Sequence, residues 1–167
     1  MKSLVITDKD LAADLFKKSV IVNLNNLRYS FCTGGLECLK NEGQCYFYDD
    51  MSTLSSWIND SSLIIMITRT IYGGMDVPLK KMFERMIVNS EPYYTIEDGK
   101  TCHLNLSASK KRLLIIAYGD TSKEDQALFK GYFDTVKLGY NITLSHYFCK
   151  EEELNDILKA FGGVDDE

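Results

Sequence analysis

Three cysteines in one short segment are the side chains of this sequence whose types and spacing most directly suggest chemistry. Cys32, Cys38 and Cys45 lie in FCTGGLECLKNEGQC, and Cys102 and Cys149 complete a total of five. Thiolates bind zinc and iron–sulfur clusters, and cysteines also form disulfides or act as nucleophiles. The segment is therefore a metal centre, a disulfide loop or a loop of free thiols.

The spacing argues against the first two of these. Three thiols do not complete a four-cysteine cluster, no Cys-x-x-Cys pair is present, and His103 and His146 are the only histidines. A disulfide between Cys32 and Cys38 is geometrically feasible, but an odd number of cysteines without a secretory signal favours reduced thiols. We expect a structural loop of free thiols without metal, beside the ligand cleft. The alternative is that Cys32 or Cys38 is a redox-active thiol.

A pair of glycines marks a second segment of interest, ITRTIYGGMDVPLKK, which follows the most apolar run of the chain. Gly73 and Gly74 let the backbone approach a ligand or turn sharply, because neither carries a Cβ. Arg69, Thr70 and Tyr72 add a cation, a hydroxyl and an aromatic plane at the same rim. The segment suits a flat heteroaromatic ligand, although its local features alone favour a strand-to-helix turn that needs glycine only for its backbone angles.

Five short apolar runs and four amphipathic segments must position these residues. The runs are typical of strands buried on both faces, and the amphipathic segments have the spacing of helices packed outside them. The predicted strands are residues 4–7, 20–24, 63–67, 113–118 and 142–148, and the predicted helices are 51–60, 76–86, 122–139 and 151–161. Only about a dozen residues separate the first two strands, so we expect the first helix, which lies between them, to be short. The pattern predicts an α/β fold with a five-stranded parallel doubly wound sheet, in a single domain spanning residues 1–167.

Cap residues mark where the predicted helices begin. Asp50 and Asp76 precede two of them, and Ser122 with Asp125 has the arrangement of a capping box. The apolar side chains expected to be buried by the helix at 122–139 are Leu128, Phe129, Tyr132, Phe133 and Val136. Doubly wound sheets bind ligands outside the carboxyl ends of their strands, where the strand order reverses. The loops to consider are therefore residues 7–10, 68–76 and 118–122.

Taken together, several segments resemble the flavodoxin-like NADPH-dependent FMN reductase family and its iron–sulfur flavoprotein relatives. The motifs are CTGGLECLKNEGQCYFYDDM, SSLIIMITRTIYGGMDVPLKKMFERMI, EPYY and GKTCH, and they follow the family's order and spacing between residues 31 and 103. The resemblance implies a flavodoxin-like three-layer sandwich that binds FMN. Gly35 stands where the family has the middle cysteine of its cluster-binding segment, which argues against an iron–sulfur cluster. Arg85 matches a family arginine to which we assign a role in helix packing, and His103 matches a family histidine.

The resemblance places the flavin ring between the loops that follow the third and fourth predicted strands. The candidate cofactor-binding residues are Thr68, Arg69, Thr70, Ile71, Tyr72, Gly73, Gly74, Tyr118, Gly119, Asp120 and Thr121. Arg69 or the backbone amide of Gly73 is our candidate for stabilising charge on the reduced ring. No catalytic side chain is assigned, because the cofactor itself carries the redox chemistry.

The loop after the first strand departs from the family pattern. Flavodoxin-like proteins hold the FMN phosphate there with hydroxyls and backbone donors at a helix start. This chain has VITDKDLAADLF, in which Asp8 and Asp10 bring negative charge that Lys9 offsets only in part. Either the phosphate cradle is lost, or the phosphate binds elsewhere, for instance toward Lys80, Arg69 or a neighbouring subunit.

Two functions remain open at this point. The first is an FMN-binding oxidoreductase that uses NAD(P)H to reduce flavin or quinone or to transfer electrons to another protein. The alternative is a flavodoxin-like scaffold or regulatory subunit that has lost the FMN phosphate site and binds no flavin. Hydrolase chemistry has no support, since the chain has two histidines and no Gly-x-Ser-x-Gly motif.

Charge and hydropathy limit the partners. A formal net charge of −5 would repel a nucleic-acid backbone, and no apolar run is long enough to cross a bilayer. We expect a cytoplasmic protein with small-molecule flavin and nicotinamide partners. We also expect a homodimer, with Tyr93 and Tyr94 of EPYYTIEDGK at the interface, although packing against their own domain is an equal alternative.

Overall fold

A central parallel sheet organises the computed structural model, which describes residues 3–12, 14–104, 110–136 and 142–162. Five parallel strands form the sheet in the order β2, β1, β3, β7, β8. They are β1 (Ser3–Thr7), β2 (Val20–Asn23), β3 (Leu63–Ile71), β7 (Lys111–Tyr118) and β8 (Ile142–Cys149), with the two-residue β4 (Gly74–Met75) antiparallel to the end of β3. The predicted doubly wound sheet is confirmed, and the strand order is that of flavodoxin-like folds.

Helices cover both faces of the sheet, as the sequence predicts. They are α1 (Glu37–Lys40), α2 (Met51–Asp60), α3 (Val77–Arg85), α4 (Lys123–Val136) and α5 (Leu154–Phe161), with short 3₁₀ turns at Leu24–Asn26, Met86–Asn89 and Glu151–Glu153. The last predicted helix therefore begins as a 3₁₀ turn before α5. Residues 137–139 of the predicted fourth segment lie outside the described residues.

Alternation along β1 and β3 divides the core into two clusters. Leu4, Ile64 and Met66 point to the face covered by α2, α3 and α4, whereas Val5 and Ile65 point to the face covered by α5. Side chains in a strand alternate between faces, so both faces of these strands are apolar because both are covered. This double burial is why the strands read as unbroken apolar runs.

The caps are confirmed at two of the three predicted helix starts. Asp76 accepts a hydrogen bond from the Val77 amide, and Ser122 and Asp125 exchange the two bonds of a capping box. Asp50 is the N-cap residue of α2, so its predicted position is correct, but its side chain makes no cap bond to the helix. Its neighbour Asp49 accepts from the Met51 amide instead.

The stripe predicted for α4 is correct at two of the four positions whose side chains the structure describes, and the side chain of Val136 lies outside that description. Phe129 and Phe133 are buried, but Leu128 is 65% exposed and Tyr132 is 38% exposed. Leu128 lies against the loop after β3, and the Tyr132 hydroxyl accepts a hydrogen bond from Lys80 Nζ (3.4 Å). The helix therefore presents a narrower apolar face to the sheet than its sequence suggests.

Two local structures differ from the sequence prediction. Residues 8–12 and 14–19 of the crossover from β1 to β2 contain bends and turns but no helix, so the short first helix expected from sequence does not form in these residues. A hairpin of β5 (Tyr94–Glu97) and β6 (Lys100–His103) forms a separate two-stranded sheet. Its tip, Asp98-Gly99, has positive φ at both residues, as the commonest two-residue hairpin turn requires.

A buried ion pair attaches the cysteine-containing loop to α3. Arg85, only 2% exposed, donates two hydrogen bonds to the Asp49 carboxylate (2.9 and 3.0 Å) and one to the Ser30 carbonyl (2.9 Å). Burial by itself would raise the pKa of Asp49, but hydrogen bonds from Arg85 and from backbone amides, with the charge of Arg85, outweigh it and lower that pKa. Arg85 therefore serves packing, as expected from the sequence.

Candidate functional site

The strand order reverses between β1 and β3, so the carboxyl ends of these strands are where the fold forms a ligand crevice. Both strands run parallel in register, with Thr7 opposite Ile67. The next strand, β7, pairs Tyr118 with Arg69 of β3. The loops after β1, β3 and β7 thus meet at one edge of the sheet.

The side chain at the centre of this edge is Asp8. Its carboxylate accepts hydrogen bonds from the Arg69 amide (2.9 Å), the Tyr118 hydroxyl (2.9 Å) and the Thr68 hydroxyl (3.3 Å). Burial raises the pKa of Asp8 above its ordinary value, although these hydrogen bonds oppose the shift. Burial and the neighbouring Asp8 carboxylate also raise the pKa of Tyr118. One carboxylate therefore ties together the ends of β1, β3 and β7.

Side chains from the ends of β1, β2 and β8 hold the rest of the loop after β1. The Thr7 hydroxyl accepts from the Lys9 amide (3.0 Å), and Asn25 and Asn23 donate to the Asp8 carbonyl and the Asp10 carboxylate (both 2.6 Å). The Lys9 ammonium forms an ion pair with Glu151 and lies 4.6 Å from the centre of the Tyr118 ring. Asp8, Lys9 and Asp10 are thus bound to residues of neighbouring elements.

The loop after β3 is a tight hairpin turn between β3 and β4. Tyr72 and Gly73 both have positive φ (50° and 70°), and Tyr72 is 98% exposed. A Cβ at Gly73 would lie 3.2 Å from Leu128 and 3.4 Å from the Asp125 carbonyl, so the glycine lies against α4. Glycine is therefore required both for the turn and for the close approach to the helix, and a tyrosine ring projects beyond it into solvent.

The loop after β7 forms one wall of an open cleft. Gly119 adopts a φ of 117°, and its amide donates to the Cys149 carbonyl of β8 (3.0 Å). The cleft has a volume of about 440 Å³, within the range of small-molecule sites. Its lining residues are Gly119, Asp120, Thr121, Ser122, Gln126, Phe148, Cys149, Lys150 and Glu153.

The two loops proposed from sequence come together at the first turns of α4. Gly73 approaches Asp125 and Leu128 of this helix, while Gln126 of the same helix donates to Thr121 (3.1 Å) and lines the cleft. Thr70 adds a polar atom at the same edge, since its buried hydroxyl oxygen has no hydrogen-bond partner among the described residues. Buried polar atoms are normally paired, so this hydroxyl is suited to a bound ligand.

The eleven sequence-predicted residues differ in their accessibility. Thr68 and Tyr118 are buried and bonded to Asp8, so they support the edge from below. Tyr72 and Asp120 are exposed, and Thr121 is half-buried beside the cleft. The exposed subset and the backbone of Gly119 form the surface that a ligand would meet.

The sequence did not indicate that Asp8 accepts hydrogen bonds from the ends of β3 and β7. It also did not indicate that residues of α4 and β8 line the cleft. Gln126, Phe148 and Lys150 line that cleft, yet they belong to segments where no motif stands out. The general rule that carboxyl ends of parallel strands meet at one edge was the available signal for Lys150, which directly follows β8.

FMN, the cofactor that the resemblance implies, fits this site only in part. The ring portion matches an edge with a glycine-lined loop, an unpartnered hydroxyl and an exposed tyrosine. The phosphate does not fit after β1, since no helix begins in the described residues there and the Asp8 carboxylate already accepts hydrogen bonds from the Arg69 amide and the Tyr118 hydroxyl. The residues present therefore suit a planar ring but not a phosphate in the position that the fold usually provides.

The cysteine-containing loop lies against α3 and none of its residues lines the cleft, so the predicted position beside the ligand cleft is wrong. Cys32, Cys38 and Cys45 are free thiols around a small cavity of about 20 Å³ that Arg85 also lines. Burial, followed by the neighbouring Cys45, raises the pKa of Cys38. In the described part of the chain, no group of three histidine, cysteine or acidic side chains is arranged to hold a metal ion. A raised thiol pKa disfavours the thiolate that redox exchange and metal binding need.

Comparison with known proteins identifies structural relatives but no sequence relatives. No family model matches the chain, and no curated protein matches it. Within the described residues, no helix has the length and apolar character needed to cross a bilayer.

Three solved structures illustrate the structural likeness. An FMN-dependent NADH-azoreductase from Bacillus anthracis str. Ames Ancestor, in complex with FMN, has a TM-score of 0.59 at 10% identity, over 99% of this chain and 97% of that one. An NAD(P)H:quinone oxidoreductase from Methanothermobacter marburgensis has a TM-score of 0.62 at 12% identity, over 97% of each chain. An NADPH-quinone reductase from P.pentosaceus has a TM-score of 0.53 at 11% identity, over 99% and 98%. At these identities the likeness establishes the fold, and the fold of this chain is flavodoxin-like.

Proposed function

We propose that the chain is a flavin-dependent oxidoreductase that takes reducing equivalents from NADH or NADPH and transfers them to a flavin, a quinone or another acceptor. The observation that carries this proposal is the convergence of the loops after β3 and β7 on α4, beside a cleft of about 440 Å³ at the carboxyl edge of the sheet. The proteins of similar fold described above are named as reductases that use FMN or nicotinamide. Their names support the same class of chemistry here.

In this proposal the chain binds and orients a planar ring, and the bound flavin supplies the electron transfer. The exposed Tyr72 side chain stacks on the outer edge of the ring. The Thr70 hydroxyl, which has no hydrogen-bond partner among the described residues, forms a hydrogen bond with a heteroatom of the ring. The Gly73 amide and the Arg69 guanidinium are the groups proposed to stabilise negative charge on the reduced ring. Each is a donor or a cation on the loop after β3.

We propose in addition a homodimer in the cytoplasm. Tyr93, Tyr94 and Ile96 are exposed on or beside the hairpin of β5 and β6, and a two-stranded sheet alone is marginally stable in water. Aromatic residues are enriched in interface cores, so a second copy is the partner expected to cover them. Sedimentation of the wild type and of Ile96→Asp tests this, since the variant should shift toward the monomer if the hairpin lies at the interface.

The visible spectrum of the purified chain tests the proposed reaction. After incubation with excess flavin and removal of the unbound fraction, we expect a yellow protein whose flavin band bleaches when NADH or NADPH is added without oxygen. A protein that stays colourless with both riboflavin and FMN, and shows no thermal shift with either, would contradict the proposal.

A second candidate function is a flavodoxin-like scaffold or regulatory subunit that binds no flavin. The specific observation in its favour is the Asp8 carboxylate at the crevice of the sheet, where a cofactor phosphate would otherwise bind. If the protein stays colourless in the same experiment, this second function is favoured, because a scaffold or regulatory subunit does not need to bind a flavin ring.

A further inference from the structure

The crevice at the strand-order reversal already contains an anion, which belongs to the chain itself. The Asp8 carboxylate accepts from one backbone amide and two hydroxyls, supplied by the ends of β3 and β7. Backbone amides and hydroxyls are also the donors with which flavodoxin-like folds bind a phosphate at this place. The side chain therefore already occupies hydrogen-bond donors that another anion in this crevice could use.

Three further donors around this crevice are engaged as well. The Lys9 amide donates to Thr7, Asn25 donates to the Asp8 carbonyl, and the Lys9 ammonium pairs with Glu151. No helix begins after β1 in residues 8–12 and 14–19, so this loop offers no helix N-terminus to a phosphate. An incoming phosphate that used these donors would have to displace the hydrogen bonds that they already make.

The charge at this edge opposes a phosphate in addition. Asp8 lies close enough to Asp76 for their charges to repel each other, and Asp10 is the next acidic side chain along the loop. A phosphate dianion placed among these carboxylates would be repelled, because charges near a partly buried site are only weakly screened. Hydrogen bonding and the acidic side chains thus both disfavour a phosphate in this crevice, while the exposed Arg69 guanidinium is a cation at the same edge that acts in the opposite sense.

The ring-binding part of the edge carries no comparable obstacle. Thr70 has an unpartnered hydroxyl, Tyr72 is exposed, and the cleft beyond Gly119 is open. These features need only a flat, uncharged ligand with hydrogen-bonding heteroatoms.

We infer that this site binds a flavin or similar planar heteroaromatic ring that lacks a terminal phosphate, with Asp8 acting as the internal anion that rejects the phosphorylated form. The inference rests on the proposed function and defines its ligand more narrowly. Asp8 is a specificity residue in this account, since it selects between two ligands that share the same ring.

Binding measurements with riboflavin and FMN test the inference without any turnover. Quenching of flavin fluorescence gives the dissociation constant of each ligand for the wild type, for Asp8→Asn and for Asp14→Asn. Asp14 is an exposed acid of the same crossover, so its replacement changes the net charge equally while leaving the crevice intact. Asparagine at position 8 keeps the shape of the side chain and removes its charge.

We expect the wild type to bind riboflavin about tenfold more tightly than FMN, which is the scale of one unfavourable charge contact. Asp8→Asn should bring the two constants within about threefold by strengthening FMN binding, whereas Asp14→Asn should keep the wild-type ratio. Circular dichroism checks that both variants fold. If Asp8→Asn does not fold, the ratio of the two dissociation constants for the wild type still tests the inference.

The outcomes separate this inference from the proposed function. If the wild type binds FMN as tightly as riboflavin or more tightly, the inference is overturned while the flavin-dependent function stands. If neither flavin binds to the wild type or to Asp8→Asn, the proposed function itself fails and the inference fails with it.

Discussion

Arg85 and Asp49 form the residue-scale contact on which the loop between residues 28 and 50 depends. The guanidinium makes two hydrogen bonds to the carboxylate and a third to the Ser30 carbonyl, in a position that is almost fully buried. A bidentate pair of this kind is specific in geometry, and a lysine cannot reproduce it. Removing one partner of the pair is costly mainly because the other charged group then stays buried without a counter-charge.

We therefore predict that Arg85→Leu lowers the free energy of unfolding by about 3–5 kcal/mol, because it leaves a buried carboxylate without its cation. Arg85→Lys should cost less, since it keeps the charge while losing the fork geometry. Urea unfolding at neutral pH measures both. Equal losses for the two variants would show that shape alone, and not the charge of the pair, holds this loop.

Asp8 and Asp49 should give opposite pH dependences, because their surroundings shift the two pKa values in opposite directions. The lowered pKa of Asp49 contributes stability that is complete above about pH 3.8 and is lost as the pH falls through the folded-state value. The raised pKa of Asp8 means that ionisation costs stability as the pH rises above 3.8 toward its folded-state value.

Unfolding experiments on Asp8→Asn and Asp49→Asn across the acidic range test these signs. Relative to the wild type, Asp49→Asn should be destabilised at neutral pH and should recover on acidification. The stability of Asp8→Asn should instead increase relative to that of the wild type as the pH rises. The same sign for both variants would contradict the assigned electrostatics.

At the scale of elements, the hairpin turn between β3 and β4 fixes the rim of the candidate site. Its two residues have positive φ, and the second of them, Gly73, lies against α4. The structure therefore bears out the interpretation that the turn needs glycine for its backbone angles, whereas ligand binding by this loop stays a proposal.

Two glycine-to-alanine substitutions separate backbone strain from simple loss of flexibility. Gly73→Ala should destabilise the protein by about 1–2 kcal/mol, because alanine disfavours positive φ and its Cβ meets Leu128. Gly131→Ala, inside α4 with no atom within 4 Å of the new methyl group, should stabilise by about 0.5–1 kcal/mol. Thermal unfolding distinguishes them, and a loss of stability for Gly131→Ala or a gain for Gly73→Ala would refute this account of the two positions.

For the whole molecule, the sheet could be predicted from sequence because its strands are buried on both faces and therefore appear as continuous apolar runs. The hairpin of β5 and β6 could not be found that way, since its side chains are largely exposed and show no apolar alternation. Only Asp98-Gly99 signalled it. Local patterns predict elements that bury a face and miss those that do not.

The candidate site shows a similar division. The loops after β3 and β7 were predicted because they follow recognisable strands, and the acidity of the first loop was visible in the residues themselves. The hydrogen bond between Asp8 and Tyr118 joins residues 110 positions apart, so no local pattern contains it. The sequence did not show which groups bind the acidic side chains of this loop. In the proposed account, the hydrogen bonds of Asp8 determine whether the site accepts a flavin with a terminal phosphate.

The central claim is that a flavin ring lies at the rim formed by the loops after β3 and β7, and the most direct measurement is riboflavin affinity in two tyrosine variants. Tyr72 and Tyr48 are 98% and 96% exposed, so replacing either by alanine should leave folding stability nearly unchanged. The account predicts that Tyr72→Ala weakens riboflavin binding about 2- to 10-fold through lost stacking, while Tyr48→Ala binds like the wild type. Unchanged affinity in Tyr72→Ala, or an equal loss in Tyr48→Ala, would contradict it.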